Sequence, residues 1–492
     1  MARARTNQHG GLPIKLGPCS NGEFVPRPAS PVVRETIRRA SRAADEHAAR
    51  LGVSRRAFLA SSCGSALTLL TLAACSNEAG QATQGAEPGG TFTLPPTSTT
   101  EPEVATSVLA DDTQFVMDVQ GHLLEYDLTP DEPWDGTFYT GQMFPQANCG
   151  EDDPRACFSI ESFLDLYFLQ SDTSLVVLSA IPVFESPSPL SPEVMAQTRA
   201  IAAALCDHDR ILAHGMATPN VGDVEEQLAA MADLRAEFDV SAWKMYPHIP
   251  ASTPFRFDDA DPSLPQIGGR FLDQVRQVGP PIVCVHKGIS SVGGGYPADP
   301  ADIGPAAVDN PDISFVVYHS GYELAVSEGP YDPADPNGGI DRLLVSCEAA
   351  GVGPGANVYA ELGSTWRSVM GDPDQAAHTL GKLLVAFGED RVVWGTDSIW
   401  YGSPQDQIEA FRAFEITEQF QEQYGYPALT DEVKDKILGL NSAELYGVDP
   451  THVDCEFTGE ELRTIRQEVA PEPVTLGPVQ AAEVDALLVA HA

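Results

Sequence analysis

Short apolar runs alternate with amphipathic stretches along the chain from residue 115 to about residue 449. Each run has the length of one strand, and the stretches between them have helical spacing. Strand alternating with helix predicts a parallel sheet joined by right-handed crossovers. The predicted strands are residues 115–122, 174–182, 210–217, 241–248, 281–288, 313–321, 357–364 and 391–398.

The number of repeats decides between two α/β architectures. Eight strand–helix units in about 300 residues fit a closed barrel better than an open doubly wound sheet. No Gly-x-Gly-x-x-Gly follows the first run, which argues against a dinucleotide-binding fold. We therefore predict an α/β protein, a (β/α)8 TIM barrel over residues 111–449 that ends in a short helical extension. Residues 450–492 form an acidic C-terminal extension.

The first 110 residues do not continue this pattern. Residues 54–60 read SRRAFLA, and an apolar stretch and then Leu-Ala-Ala-Cys75 follow. This order resembles a twin-arginine export signal that ends in a bacterial lipobox, so that Cys75 is lipidated. We predict a signal with a long n-region over residues 1–74, a disordered Pro/Ser/Thr/Gly-rich tether over residues 75–110, and anchoring at the outer face of the cell membrane. A short buried helix is the alternative.

The net charge limits the classes of binding partner that we expect, and the cysteines indicate one disulfide and several buried thiols. The chain has 29 Lys and Arg against 70 Asp and Glu, a net charge of −41. Such acidity argues against nucleic acid and against an anionic membrane surface, so a lipid anchor is the one membrane contact we predict. Cys149 and Cys157 share one loop and could pair in an oxidising compartment, whereas Cys206, Cys284 and Cys347 are predicted buried thiols. The sequence is compatible with a homo-oligomer.

Most of the predicted strands end in a polar side chain. The C-terminal strand ends of a barrel share one mouth, which is where active sites are built. A single strand-end His can be a hydrogen-bonded core residue, but three His and one Asp together predict a metal site, since imidazole and carboxylate suit zinc or a similar divalent ion. In strand order the residues are Gln120 and His122, Lys244, His286, His319, Glu361 and Asp397.

These motifs resemble the amidohydrolase superfamily, and within it the amidohydrolase-related branch of barrel hydrolases and decarboxylases. The family's first strand ends in Asp-x-His-x-His, and MDVQGH matches this apart from one position. VCVHKG and VVYHSG match the ends of the fifth and sixth strands, and VVWGTDS matches the eighth. KILGLNSAELYGV is similar to the family's terminal helix. The resemblance covers residues 115 to about 449.

The resemblance implies that His122, His286 and Asp397 bind one divalent metal ion, with zinc favoured. His319 is then a catalytic acid/base or a further ligand, and Asp397 also takes part in catalysis. Gln120 stands where the family's first metal-binding His should be. Because a neutral amide oxygen binds zinc more weakly than imidazole does, Gln120 is a weak ligand, a residue that orients a ligand, or a sign that metal binding has been lost.

The resemblance also implies a small-molecule substrate. Lys244 could be carbamylated between two metal ions, as in binuclear members, or could grip a substrate carboxylate or pair with Glu361. We predict that Lys244, Glu361, Trp366 and Trp400 bind substrate. The leading prediction is an exported metal-dependent hydrolase that uses metal-activated water on an ester, lactone, amide or C–N bond. The alternatives are a non-oxidative decarboxylase or lyase, and a catalytically degenerate binding protein with a lipid anchor.

Overall fold

Eight parallel strands, paired in chain order, form the centre of the computed structural model. The strands curl round until the last one meets the first: the His122 amide donates to the Ser398 carbonyl (2.7 Å) and the Val119 amide to the Trp394 carbonyl (3.1 Å). This confirms the predicted (β/α)8 barrel. The structure describes residues 11–83, 85–111, 113–125, 147, 149–181, 188–206, 209–247, 253–290, 298–334, 339–451 and 473–483.

Every predicted barrel strand is present, and each is shorter than the apolar run from which it was predicted. Their side chains are buried on both faces, as expected for a parallel sheet covered by helices. A separate antiparallel pair, β1 and β10, was not predicted. The strands are β1 (Gly90–Phe92), β2 (Met117–Gly121), β3 (Leu175–Leu178), β4 (Ile211–Ala217), β5 (Val240–Met245), β6 (Ile282–His286), β7 (Ser314–Tyr318), β8 (Val358–Glu361), β9 (Val392–Val393) and β10 (Phe414–Ile416).

Helices cover the outside of the barrel, and several begin at a side-chain cap. Asp372, for example, accepts the Gln375 amide at the start of helix Pro373–Phe387, whose first residue is proline. The α-helices are Pro31–Leu51, Arg55–Leu59, Ser62–Thr83, Pro102–Leu109, Ile160–Leu164, Pro192–Cys206, Val224–Glu237, Gly268–Val278, Ile303–Asp309, Asp341–Ala350, Thr365–Val369, Pro373–Phe387, Gln405–Ala413, Glu418–Tyr424, Asp431–Asp435 and Asn441–Tyr446.

The N-terminal residues form packed helices in the described range, where the sequence predicted disorder. The division into an export signal over residues 1–74 and a tether over residues 75–110 stays a prediction. Helices Pro31–Leu51 and Ser62–Thr83 pack on each other, and Phe58, Leu69 and Leu72 are buried in the main hydrophobic core. The apolar stretch that resembles a signal therefore forms the alternative, a buried helix, because a protein core accepts the same apolar residues as a membrane does. The export function of the arginine motif stays a prediction.

The segment predicted to be a tether, residues 75–110, is also attached to the barrel. β1 pairs with β10 in antiparallel register, with Thr91 opposite Glu415. Cys75 lies on helix Ser62–Thr83 and is 4% exposed. Among the described residues, none of the helices has both the length and the apolar character needed to cross a membrane.

The prediction is confirmed for four cysteines. Cys149 and Cys157 form a disulfide, and Cys284 and Cys347 are buried thiols. The side chain of Cys206 and all of Cys455 lie outside the described residues. Part of the C-terminal extension returns to the barrel, where the Leu476 amide donates to the Trp400 carbonyl (2.8 Å).

Candidate metal centre

Three imidazole rings stand at the C-terminal ends of β2, β6 and β7, each fixed by a backbone carbonyl. His122 Nδ1 lies 2.8 Å from the Ser179 oxygen, His286 Nε2 lies 3.1 Å from the Gly288 oxygen, and His319 Nδ1 lies 2.7 Å from the Gly363 oxygen. In a neutral imidazole, the nitrogen that faces a carbonyl carries the hydrogen and leaves a lone pair on the other. The carbonyls therefore set the tautomer of all three rings.

The ring nitrogens that carry lone pairs face other atoms of the kind that bind a metal ion. His319 Nε2 lies 3.3 Å from His286 Nδ1, and His122 Nε2 lies 3.1 Å from Asp397 Oδ1. Two lone pairs that face each other at 3.3 Å repel unless a proton or a cation lies between them. Metal-binding His residues characteristically donate their other N–H to a carbonyl or carboxylate. The donor set therefore fits a divalent ion of the zinc type.

Asp397 is the most heavily hydrogen-bonded carboxylate of the centre. Its Oδ1 accepts from Gln120 Nε2 (3.2 Å), and its Oδ2 accepts from the Ser364 hydroxyl (2.5 Å) and from Asn21 Nδ2 (2.8 Å). Burial alone would raise the pKa of Asp397, but the hydrogen bond and positive charge of a protonated His122, the charge of a protonated His319 and the Ser364 hydroxyl hold the pKa below its ordinary value. When the rings are neutral, a bound cation would supply that positive charge.

The backbone at the barrel mouth is held in an unusual conformation. His319, Ser364 and Asp397 have φ values of 65°, 55° and 57°, in the left-handed region that residues other than glycine rarely adopt. Strain of this kind persists only where the surrounding structure enforces it, and it clusters at active sites. Here it accompanies the turn of the chain directly after β7, after β8 and after β9, where the polar side chains converge.

Gln120 shares a face with His122, as the strand periodicity predicts. Its Nε2 lies 3.5 Å from His122 Nε2, beside Asp397. Among the described residues its Oε1 has no hydrogen-bond partner although it is buried. A Cβ atom at Gly363 would lie 2.1 Å from that oxygen, so only glycine leaves room for this amide. Gln120 thus belongs to the centre, and its role as a ligand stays a prediction.

Lys244 and Glu361 lie in the same buried region but do not form an ion pair. Lys244 Nζ lies 3.4 Å above the centre of the Tyr318 ring and 4.7 Å from that of Tyr246, and within the described chain it has no hydrogen-bond partner. Burial lowers the pKa of Lys244 to about 8. Glu361 instead accepts the backbone amides of His319 (2.9 Å) and Gly363 (2.5 Å), and burial raises its pKa to about 8.

The two predicted substrate-binding tryptophans differ in position. Trp400 stacks on His122 with 6.0 Å between ring centres, so it borders the centre. Trp366 is fully buried, donates its indole N–H to the Gln407 carbonyl (3.0 Å) and packs against Phe411 and Phe414. The structure does not bring Trp366 to the barrel mouth, because the helix that follows β8 turns this ring toward the outer helical layer.

Residues that sequence patterns did not reveal also reach the centre. Besides the Asn21 bond to Asp397, Glu23 Oε1 lies 3.8 Å from His286 Nδ1, and both residues come from the segment before the first described helix. Ser364 bonds Asp397 and the Tyr401 hydroxyl (2.6 Å). Asp118, by contrast, lies on the strand face that the sequence pattern of β2 assigns to Gln120 and His122. It has a structural role, because its carboxylate accepts from the backbone amides of Gln120 and Thr396 and so joins β2 to the chain after β9.

The chain is similar to several solved structures at low sequence identity. A probable 2-pyrone-4,6-dicarboxylic acid hydrolase from Acinetobacter baumannii shares 13% identity over 68% of this chain and 99% of its own, with a TM-score of 0.39. A 5-carboxyvanillate decarboxylase from Sphingomonas paucimobilis shares 13% identity over 68% of this chain and 100% of its own, with a TM-score of 0.40. A 5-carboxyvanillate decarboxylase from Novosphingobium aromaticivorans, solved with manganese, shares 14% identity over 69% of this chain and 97% of its own, with a TM-score of 0.40. No curated protein matches the chain.

The sequence itself matches a described family over the whole barrel. The family model for amidohydrolases aligns with residues 118–448, which is well over half of the chain. The matched range begins on β2, at the strand that carries Gln120 and His122, and ends after the last described helix of the barrel. The chain belongs to the amidohydrolase family.

Proposed function

We propose that the protein is a metal-dependent hydrolase that directs water at an ester, lactone, amide or C–N bond of a small molecule. One observation supports this most strongly: carbonyls set the tautomers of three strand-end imidazoles, so that the lone pairs of His286 and His319 face each other and that of His122 faces the Asp397 carboxylate. A divalent ion held there would supply Lewis-acid chemistry, making a substrate carbonyl more electrophilic and water more acidic. His122, His286 and Asp397 would hold it, with Gln120 beside them.

The chain's own residues supply the proton transfers. Burial lowers the pKa of His319 to about 4, so the ring is neutral at ordinary pH and can accept a proton. Its Nδ1 is occupied by the Gly363 carbonyl, so Nε2 is the atom that takes the proton from the attacking water. The same atom can then return the proton to the leaving group.

Lys244 indicates the class of substrate. Its ammonium is fully buried and, within the described residues, has no hydrogen-bond partner. A buried ammonium without a partner is costly, and a substrate carboxylate would remove that cost. We therefore propose a carboxylated substrate. The same observation favours a second candidate, non-oxidative decarboxylation, in which the residues of the centre grip the carboxylate that is lost.

Metal removal combined with a substrate panel tests this function. The full chain, stripped with a chelator, should lose turnover of carboxylated lactones, esters and amides and regain it with Zn²⁺ or Mn²⁺. Release of CO₂ from aromatic carboxylic acids in place of hydrolysis would favour the second candidate. Metal-independent turnover, or a chain that binds no divalent ion, would contradict both.

We also propose that the chain is exported through its twin-arginine motif and reaches the outer face of the membrane, with Cys75 as the site of lipidation. The support is the order of Arg55-Arg56, apolar stretch and Cys75. Replacing both arginines by Lys should leave the protein in the cytoplasm, as measured by cell fractionation. Unchanged localisation would show that the motif has no export function. The mass of the exported chain reports whether it begins at Cys75.

A further inference from the structure

The chain before the first described helix lies at the barrel mouth, where residues that follow β8 and β9 and part of the C-terminal extension hold it. Lys15 Nζ pairs with Asp406 Oδ1 (2.9 Å), and Arg367 Nη2 donates to the Gly17 carbonyl (2.8 Å). The Ser20 amide donates to the Pro478 carbonyl (2.9 Å), and Phe24 is 3% exposed. We call residues 12–24 the mouth segment. Its position is fixed by buried contacts rather than by exposed ones.

Two side chains of the mouth segment point into the metal centre. Asn21 Nδ2 donates both to Asp397 Oδ2 (2.8 Å) and to Glu23 Oε2 (2.6 Å), so one amide group bridges two carboxylates. Glu23 Oε1 lies 3.8 Å from His286 Nδ1, and the Glu23 side chain is 25% exposed. Within the described residues, Glu23, His286 and His319 form one group whose donor atoms all lie within 4.8 Å of one another.

Glu23 lies beside a centre in which β2 lacks one strong metal-binding side chain. A neutral amide, Gln120, occupies the first ligand position of that strand, so β2 provides one strong donor, His122, rather than two. Two carboxylates, Glu23 and Asp397, converge on the imidazoles, and the space between them is bridged by the Asn21 NH₂ group. Positive hydrogen atoms between two carboxylates mark the place where a cation is electrostatically favoured.

We propose that Glu23 is a metal ligand, delivered from outside the barrel by the mouth segment to replace the donor that Gln120 does not supply. This rests on the proposed function, since it assumes that a divalent ion binds at the barrel mouth. It also makes residues before Cys75 part of the enzyme. This inference and cleavage before Cys75 therefore exclude each other, because a chain cleaved there loses Glu23 and an exported enzyme would have to keep its N-terminal segment.

The test measures the affinity of the full chain for Zn²⁺ and Mn²⁺ by competition with a chromogenic chelator. Glu23→Gln, which keeps the size of the side chain but removes its charge, should weaken binding by roughly 10–100-fold. Glu46→Gln is the matched control, because Glu46 is an exposed residue of helix Pro31–Leu51 in the same N-terminal region, and it should bind like wild type. Gln120→His in the Glu23→Gln background should restore tight binding.

The outcomes separate this inference from the proposed function. Wild-type affinity in Glu23→Gln, together with loss of metal in His286→Ala, overturns the role of Glu23 and leaves the metalloenzyme intact. A wild-type chain that binds neither ion overturns both. If Glu23→Gln does not fold, Glu23→Asp is compared with wild type: it keeps the charge on a shorter arm, so measurably weaker binding supports ligation and unchanged binding contradicts it.

Discussion

Replacing Asp397 by Asn is expected to lower kcat/KM by about 10²–10⁴-fold, the range for loss of a group that holds or moves a proton in the transition state. Asp397 accepts hydrogen bonds from Gln120, Ser364 and Asn21, and it faces His122 Nε2 at 3.1 Å. Asn fills the same space but brings one carbonyl oxygen and no charge. His122 then loses its anionic partner, and the centre loses the one carboxylate that lies at a barrel strand end and has its pKa held low.

Activity and metal content should fall together in this variant. The unfolding temperature is measured in parallel, because Asn also leaves some of the buried donors around position 397 unpaired. Asp390→Asn is a suitable control, since Asp390 is exposed and pairs with Lys436 on the surface. It should leave turnover unchanged. Turnover within a few-fold of wild type in Asp397→Asn would contradict the assignment of this residue to the metal centre.

Replacing Lys382 by Met should destabilise the fold by about 3–5 kcal/mol, the cost of removing one partner from a buried ionic group. Lys382 Nζ is bound between Glu328 Oε2 (2.5 Å) and Asp341 Oδ1 (2.6 Å), and its side chain is 1% exposed. Met keeps the aliphatic stem but leaves two carboxylates buried without a cation. The measurement is the free energy of unfolding from denaturant titration.

The pH dependence of the loss in stability shows whether the loss comes from the missing positive charge or from poorer packing. Burial raises the pKa of Glu328, and the Lys382 ammonium opposes that rise. Without the ammonium the folded-state pKa rises further above the unfolded value, so protonation favours the folded variant and its deficit should shrink as the pH falls. Lys436→Met is the control, because Lys436 forms a surface pair with Glu389 and Asp390. A pH-independent deficit would indicate lost packing instead.

The barrel was predictable because its strands are buried on both faces. Such strands must be continuous apolar runs, and their C-terminal ends must share one mouth, so the positions of His286 and His319 in the sequence also place them in space. Trp366 shows the limit of this argument. It follows β8 closely, but a helix begins there, and its direction rather than the residue's distance from the strand end decides which way the ring points.

The N-terminal part was not predictable in the same way. Leu69 and Leu72 belong to an apolar helix, and periodicity does not distinguish burial against protein from insertion into a membrane. Asn21 and Glu23 lie in a segment without any repeating pattern, and their partners are found only in the tertiary structure. The left-handed backbone of Asp397 is likewise imposed by its neighbours: Asp tolerates this region better than most residues, but that tolerance does not predict where it occurs.

The anchoring of the mouth segment also constrains the order of folding. The backbone amide of Lys15 donates to Asp406, 391 residues away, and Asn21 meets Asp397 across 376 residues. Contacts between such distant positions form late, because the entropy of closing so long a loop must be lost before they contribute. Since chains are made from the N-terminus, the mouth segment leaves the ribosome long before its partners Asp397 and Asp406 do. We therefore expect a nascent or truncated chain to carry a formed barrel wall but an open, incomplete centre.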